Sequence, residues 1–144
     1  MFHEVVVAGD TWAFAADTPR SVAMDLWFHP GTRPYVAEQE GRIVGTYFLR
    51  PNHPGHGAHV ANAGYMVASS ARGKGVGKAM GEHSIEEARH LGYRALQFNY
   101  VVSTNEDAVR LWKAIGFEIA GTLPGAFRHS RLGFVDVYVM FRRV

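Results

Sequence analysis

The spacing of hydrophobic residues divides the chain into segments of two kinds. Stretches rich in β-branched and aromatic residues predict strands; they cover residues 35–38, 43–49, 59–68, 95–102, 117–121 and 134–141. Apolar residues three or four positions apart predict helices over residues 20–28 and 76–91, and a third helix that a Ser103 or Thr104 cap begins and Gly116 ends. Residues 2–8 fit either a short helix or a strand, because Val5, Val6 and Val7 favour a strand.

The order of these elements predicts the fold class. Three strands, a helix, a strand, a helix and two final strands make an α+β pattern with a mixed sheet, and not a doubly wound one. The first two strands form a hairpin whose turn contains Gly41, which accepts the positive φ of a tight turn. No repeat or linker interrupts the 144 residues, so we expect a single domain over residues 1–144.

A glycine-rich loop joins the strand at 59–68 to the helix at 76–91. Gly73, Gly75 and Gly77 allow several backbone N–H groups to point toward one place, and the new helix adds unpaired N–H groups and the positive end of its dipole. Such a loop binds an anion without a dedicated side chain. The same glycines also suit a tight strand-to-helix connection, so the loop alone leaves both interpretations open.

Composition narrows the classes of function. Fifteen basic and thirteen acidic residues give a formal charge of +2, which does not favour a nucleic-acid partner. The lack of cysteine excludes disulfides, thiolate metal ligands and cysteine nucleophiles, and it fits the cytoplasm, where we expect the protein. No apolar run is long enough for a membrane span, and no signal peptide is indicated.

Three histidines at regular spacing, His53, His56 and His59, do not predict a metal site. They lie among prolines and glycines without a helical register, and no carboxylate nearby completes a ligand set. His59 could serve instead as a water-linked base.

Two motifs carry a resemblance to a known family. Arg72, Gly75 and Gly77 match the Arg/Gln-x-x-Gly-x-Gly/Ala signature between a strand and a helix. The pattern Asn-x-x-Ala-x-x-Leu-aromatic-x-x-x-Gly-Phe follows about 30 residues later, at residues 105–117. With both motifs, the chain resembles the GCN5-related N-acetyltransferase (GNAT) superfamily. The resemblance implies a mixed, mostly antiparallel sheet with splayed central strands flanked by helices, acetyl-CoA as co-substrate, and no metal.

The resemblance also implies a cofactor site. The loop at 72–78 would bind the pyrophosphate of coenzyme A, and the pantetheine arm would lie between the splayed strands and pair with free backbone groups of residues 66–68. The predicted cofactor-binding residues are Met66, Val67, Ala68, Arg72, Gly73, Lys74, Gly75, Val76, Gly77, Lys78 and Asn105. Asn105 would hydrogen-bond the pantetheine arm; its alternative role is that of a plain residue in the first helical turn.

The chain departs from the family at a catalytic position. Many members place a tyrosine acid in the second helix, whereas this chain has Trp112, whose indole N–H cannot usefully give up its proton. Tyr65, Tyr93, Tyr100 or a water are possible replacements. Trp112 stays a candidate catalytic residue by position, with a wall of the acyl pocket or plain core as its other interpretation.

A narrower resemblance, over residues 59–65, 98–105 and 123–126, is to the fungal N-acetyltransferases that act on proline analogues. It implies that Asn62 orients the reacting amine or a water and that Asn99 holds a substrate carboxylate, with Tyr100 as a further substrate contact. The alternative is that both asparagines are buried amides that satisfy backbone groups at the splay.

Side chains in two other regions have several possible roles. Arg128, His129 and Arg131 fall in a predicted loop over residues 123–132 and would meet an anionic substrate or face water. An aromatic group near the start would cap the core or line the acceptor site; its members are Trp12, Phe14, Trp27 and Phe28.

The sequence therefore predicts an acetyl-CoA-dependent N-acetyltransferase that acts on the amine of a small molecule, such as an amino acid or analogue with a free carboxylate. The alternatives are a protein or peptide N-acetyltransferase and a non-catalytic acyl-CoA-binding module. The region before Gly9 is too short for the family's usual first strand and helix. Either the start is truncated, or the first strand is absent and a partner chain covers the sheet edge, which predicts a homodimer.

Overall fold

The computed structural model describes residues 1–144 as a mixed sheet with helices on its two faces. The helices are α1 Phe2–Ala8, α2 Arg20–Phe28, α3 Val76–His90 and α4 Glu106–Ala114. The strands are β1 Arg33–Gln39, β2 Arg42–Pro51, β3 Val60–Val67, β4 Ala95–Val102, β5 Glu118–His129 and β6 Gly133–Arg143. Short 3₁₀ turns cover Gly55–Gly57 and Ser69–Ala71. Residues 2–8 thus form a helix and not the short strand that their valines also allowed.

The sheet has six strands in the order β1-β2-β3-β4-β6-β5. All neighbours are antiparallel except β3 and β4, which are parallel and pair only from Val60 opposite Ala95 to Asn62 opposite Gln97. Beyond Asn62 the two central strands diverge. The predicted mostly antiparallel sheet with splayed central strands is confirmed.

Helices α3 and α4 pack on one face of the sheet around the largest hydrophobic cluster, which includes Met80, Leu96 and Trp112. Helices α1 and α2 cover the other face through a smaller cluster built on Val5, Trp27, Phe48 and Met66. Alternation along the strands explains this division, because successive side chains of β2 and β3 point to opposite faces. None of the four helices has both the length and the hydropathy that a membrane-spanning helix requires.

Strand β5 corrects one prediction. The sequence suggests a strand ending at residue 121 and then a loop, whereas β5 continues to His129 and stays paired with β6. The register shifts between Leu123 and Phe127, around Pro124 and Gly125. A bulge tolerates a proline that cannot donate to the ladder, so the turn-like residues interrupt the strand without ending it.

The cap of α4 corrects another prediction. The N-cap is Asn105, and not Ser103 or Thr104; its side-chain oxygen accepts a hydrogen bond from the backbone N–H of Ala108 at 3.4 Å. All three residue types cap helices well, so composition could not choose among them. Asn105 is therefore a capping residue, which replaces its interpretation as a plain first-turn residue.

Candidate active site at the splayed strands

The divergence of β3 from β4 leaves backbone groups without a sheet partner. The backbone N–H of Ala68 donates to Val44 O, and Val60 O accepts from Asn52, so even-numbered residues of β3 face β2. Because successive residues of a strand direct their backbone groups to alternate sides, those of Tyr65 and Val67 face the gap. We predicted that the backbone groups of residues 66–68 are free of sheet partners. Those of Met66 and Ala68 face β2, so the prediction is wrong for these two residues, whereas those of Val67 face the gap.

The glycine loop presents a row of backbone donors. Gly75 is the N-cap of α3 and, like Gly73, has a positive φ, 80° and 72° respectively. The structure gives no backbone hydrogen bond to the N–H groups of Gly73, Gly75, Val76, Gly77 and Lys78, whereas those of Arg72 and Lys74 bond within the loop. These unpaired donors sit at the positive end of the α3 dipole, which makes them a fit for a phosphate group.

Basic side chains around this loop contribute less than the backbone. Arg72, Lys74 and Lys78 are all exposed, and Lys78 already pairs with Glu82 at 3.6 Å. Exposed ion pairs contribute at most about 1 kcal/mol each. The features of this loop that suit an anion therefore come mainly from its backbone geometry.

A cleft of about 680 Å³ lies along the loop, and we call it the glycine-loop cavity. Except for Ala68 and Lys74, every predicted cofactor-binding residue lines it. Its far side is formed by the start of α4 and by Asp10, His129 and Arg131. One continuous cleft therefore joins the glycine loop to the free backbone of Tyr65 and Val67.

A second cavity of about 330 Å³ lies across the splay, and we call it the Arg50 cavity. Seven aromatic residues line it, namely Trp12, Phe14, Phe48, Tyr65, Phe98, Tyr100 and Trp112. Arg50, Asn62 and Asn99 also line it. The two cavities share six lining residues, namely Thr11, Trp12, Tyr65, Asn105, Ala108 and Trp112. They therefore meet at the opening between β3 and β4.

The structure gives Asn62 and Asn99 different surroundings. Asn62 is 9% exposed and its Nδ2 donates to Gln97 O at 3.0 Å, where β3 and β4 part. Asn99 is exposed; its Nδ2 donates to Asn52 Oδ1 at 2.7 Å and its Oδ1 accepts from Gln97 at 2.9 Å. Asn62 is thus an amide that satisfies a backbone carbonyl where the strands diverge, which was the alternative to its role in orienting the amine. Its Oδ1 makes no hydrogen bond and stays available to the cavity.

None of the tyrosines offers a free hydroxyl at the junction. Ser84 donates to Gly81 O, so the Tyr65 hydroxyl donates to Ser84 Oγ at 2.6 Å, and burial raises the pKa of Tyr65 above its usual range. The Tyr100 hydroxyl donates to Ala126 O, and Tyr93 lines neither cavity. The hydroxyls of Tyr65 and Tyr100 are therefore engaged in hydrogen bonds, and Tyr93 lies away from the junction.

Trp112 is 7% exposed and packs against Tyr65 and Phe98, with ring centroids 4.7 and 4.8 Å apart. It is part of the core and at the same time a wall of both cavities. This geometry supports the interpretation of Trp112 as a wall of the predicted acyl pocket.

The members of the aromatic group near the start lie in different places. The ring of Trp12 packs against Gly64, so closely that a Cβ at Gly64 would lie 2.7 Å from the ring. Trp27 is buried in the core, whereas Phe28 is 60% exposed.

His129, expected in a loop, is 7% exposed, and its Nδ1 accepts from the backbone N–H groups of Arg131 and Leu132. Its Nε2 must then carry the proton. No motif in the sequence points to Arg50.

The histidine-rich turn is not part of the site. His59 is exposed, its Nδ1 bonds to His56 O, and it lines neither cavity. No group of three metal-ligating side chains comes together in the structure.

The central strands of the sheet diverge, and two cavities meet at the opening between them. Comparison with known proteins gives the family. The chain belongs to the acetyltransferase (GNAT) family, whose model matches residues 5–117. A GCN5-related N-acetyltransferase from Kribbella flavida is 44% identical, with a TM-score of 0.94 over 99% of this chain and 88% of that one.

Two curated relatives are more distant. N-acetyltransferase aca1 of Schizosaccharomyces pombe is 34% identical over 98 residues, which is 67% of this chain and 47% of aca1. The L-amino acid N-acetyltransferase AaaT of Escherichia coli is 31% identical over 115 residues, 78% of this chain and 69% of AaaT. The chain thus aligns with less than half the length of aca1.

Proposed function

We propose that the protein transfers the acetyl group of acetyl-CoA to the amine of a small acceptor, an amino acid or a close analogue. The observation that carries this proposal is the meeting of two cavities through the splay, lined on both sides by Tyr65, Asn105 and Trp112. A thioester in one cavity and an amine in the other would reach the same point from opposite sides. Both volumes fall in the range of small-molecule sites.

The glycine-loop cavity fits coenzyme A. The unpaired N–H groups from Gly73 to Lys78 would receive the pyrophosphate. The free backbone of Tyr65 and Val67 would pair with the amides of the pantetheine arm as an added strand does. Asn105 uses its oxygen as the cap of α4, which leaves its Nδ2 as a donor at the junction.

Acetyl transfer forms a C–N bond and breaks the C–S bond of the thioester, while the amine loses a proton and a thiolate departs. The protein's contribution in this proposal is positioning, and polarisation of the carbonyl by backbone N–H groups at the gap. Asn62 would orient the amine through its free Oδ1. Because the hydroxyls of Tyr65 and Tyr100 are engaged elsewhere, solvent would supply the proton to the thiolate.

The test is thiol release from acetyl-CoA with a panel of amino acids, amino-acid amides, simple amines, and peptides with free N-termini or lysines, with products identified by mass. We expect turnover with small amino acids. Activity confined to peptides would contradict the proposal and favour the peptide alternative. Calorimetric binding of acetyl-CoA without turnover on any amine would favour a non-catalytic module.

The predicted homodimer stays a prediction. The outer edge of β1 has no strand partner, and Val36 on this strand is 59% exposed. Light scattering at micromolar concentration should give twice the mass of the chain, and a monomer would refute the dimer.

A further inference from the structure

Arg50 lies at the entrance of the splay, on the face of the sheet that carries the Arg50 cavity. It is on β2, directly opposite Asn62 on β3, and it lies on the same side of its strand as Phe48. Its guanidinium carbon is 5.2 Å from the centre of the Phe48 ring, and the residue is half-buried. The aromatic ring thus holds the guanidinium at the cavity wall.

The guanidinium has no acidic partner. The ion pairs of the protein all involve other residues, and no side-chain hydrogen bond is made by Arg50. The other residues that line the cavity carry no charge at neutral pH. Arg50 is therefore an uncompensated positive charge with five N–H donors in an otherwise uncharged cavity, an arrangement that favours an anionic ligand.

We infer that Arg50 binds the carboxylate of the acceptor and so selects amino acids over amines that lack an acidic group, an inference that rests on the proposed function. A guanidinium matches a carboxylate with two parallel hydrogen bonds, whereas the polar atoms of Asn99 are already bonded to Asn52 and Gln97. The volume of about 330 Å³ and the aromatic walls favour an acceptor with a compact apolar body.

This assignment also orients the acceptor. Arg50 lies on β2, on one side of β3, while the junction lined by Tyr65 and Trp112 opens on the other side of β3, toward β4. A carboxylate held at Arg50 would direct the amine past Asn62 toward the thioester. Loss of the guanidinium should therefore affect acceptors with a carboxylate and spare those without one.

The experiment compares kcat/KM for L-alanine, L-methionine and L-proline with that for their carboxamides. The variants are Arg50→Gln, Arg50→Lys and a control, Arg42→Gln, which changes an exposed arginine at the other end of β2. Each acceptor is compared with itself across variants, because amidation also changes the basicity of the amine. Residual turnover of carboxamides shows that a variant is folded.

We expect Arg50→Gln to lower kcat/KM for the amino acids by about 10- to 100-fold and to change that for the carboxamides by less than about 3-fold. Arg50→Lys should give an intermediate loss, since it keeps the charge without the bidentate geometry, and Arg42→Gln should have no effect. Equal losses on both acceptor sets, or no loss, would overturn the inference while leaving the proposed function intact. Absence of transfer by the wild type to every acceptor would instead overturn the proposed function, and this inference with it.

Discussion

The two cavities that meet at the splay are built from different parts of the polypeptide. The glycine-loop cavity uses backbone N–H groups from one continuous stretch, residues 73–78. The Arg50 cavity uses side chains from the segment after α1, from α2, from β2, β3 and β4, and from α4. In our proposal, the part of the site that binds phosphate is therefore local in the sequence, whereas the part that binds the acceptor is assembled from distant segments.

This difference predicts that changes on the two sides act on different substrates. Backbone changes in the loop should affect coenzyme A alone. Side-chain changes across the gap should affect the acceptor alone. Residues shared by both cavities should affect both.

The largest effect is expected for Gly75→Val. Gly75 has a φ of 80°, which a β-branched residue adopts only under strain, so the substitution should displace the unpaired N–H groups of the loop. The affinity for coenzyme A, measured by calorimetry, should fall about 30- to 100-fold. The matched control is Gly41→Val, at a φ of 72° in the hairpin turn far from the site. If the control weakened binding as much, general destabilisation and not loop geometry would be the cause.

A smaller effect is expected for Gly64→Ala on the acceptor side. The new Cβ would lie 2.7 Å from both Trp12 and Phe48, so Trp12 must move out of the cavity wall. The KM for the acceptor should rise about 10-fold. Because Trp12 also lines the glycine-loop cavity, the affinity for coenzyme A should fall as well, but by less than about 3-fold. Gly121→Ala is the control, because its Cβ meets nothing within 4 Å. A loss of coenzyme A affinity in Gly64→Ala as large as the rise in KM for the acceptor would break the separation of the two sides.

Asn105 lines both cavities, and two substitutions separate its roles. Asn105→Ala should lower the free energy of unfolding by about 1 kcal/mol through loss of the α4 cap. It should also weaken coenzyme A about 5-fold through loss of the amide donor. Asn105→Asp keeps a capping oxygen but lacks that donor, so it should restore stability without restoring affinity. Full recovery of both in Asn105→Asp would show that the cap alone matters.

The smallest effect on activity is expected for Tyr65→Phe. The Tyr65 hydroxyl donates to Ser84, so the turnover rate should stay within about 3-fold of the wild type. Because burial raises the pKa of Tyr65, the folded protein keeps a proton that the unfolded chain loses above about pH 10, and stability should fall as pH rises past this value. Thermal melts of Tyr65→Phe should show a weaker fall. If turnover instead dropped by about two orders of magnitude or more, Tyr65 would be the missing acid.

Local signals in the sequence were sufficient for most of the helices and strands, whereas the splay of the sheet and the role of the loop were implied by the family resemblance. The periodicity located α2 and β4 at their observed bounds, and glycines that need positive φ marked the loop before α3. What failed depended on pairing between distant segments. The continuation of β5 through Pro124 depends on β6, and the choice of Asn105 over its neighbours as cap depends on where β4 ends.

The acceptor side shows the same limit more strongly. The proposed role of Arg50 depends on the register of β2 and β3, which places it opposite Asn62. The sequence of the loop between these strands does not predict that register. Trp12 lies on Gly64 only after the segment that follows α1 folds over the sheet. His129 is buried because β5 runs further than its turn-like residues suggest. The sequence gives the identity of Arg50, Trp12 and His129, but it does not predict which residues surround them in the folded protein.

The most direct test of the two-sided site is a crystal structure of the protein with coenzyme A and the N-acetylated form of its acceptor. We expect the pyrophosphate on the N–H groups between Gly73 and Lys78, the sulfur beside Tyr65 and Trp112, and the acceptor carboxylate on Arg50, across the splay. An acceptor that lies on the same side of the sheet as coenzyme A, with Arg50 facing solvent, would contradict the two-sided site.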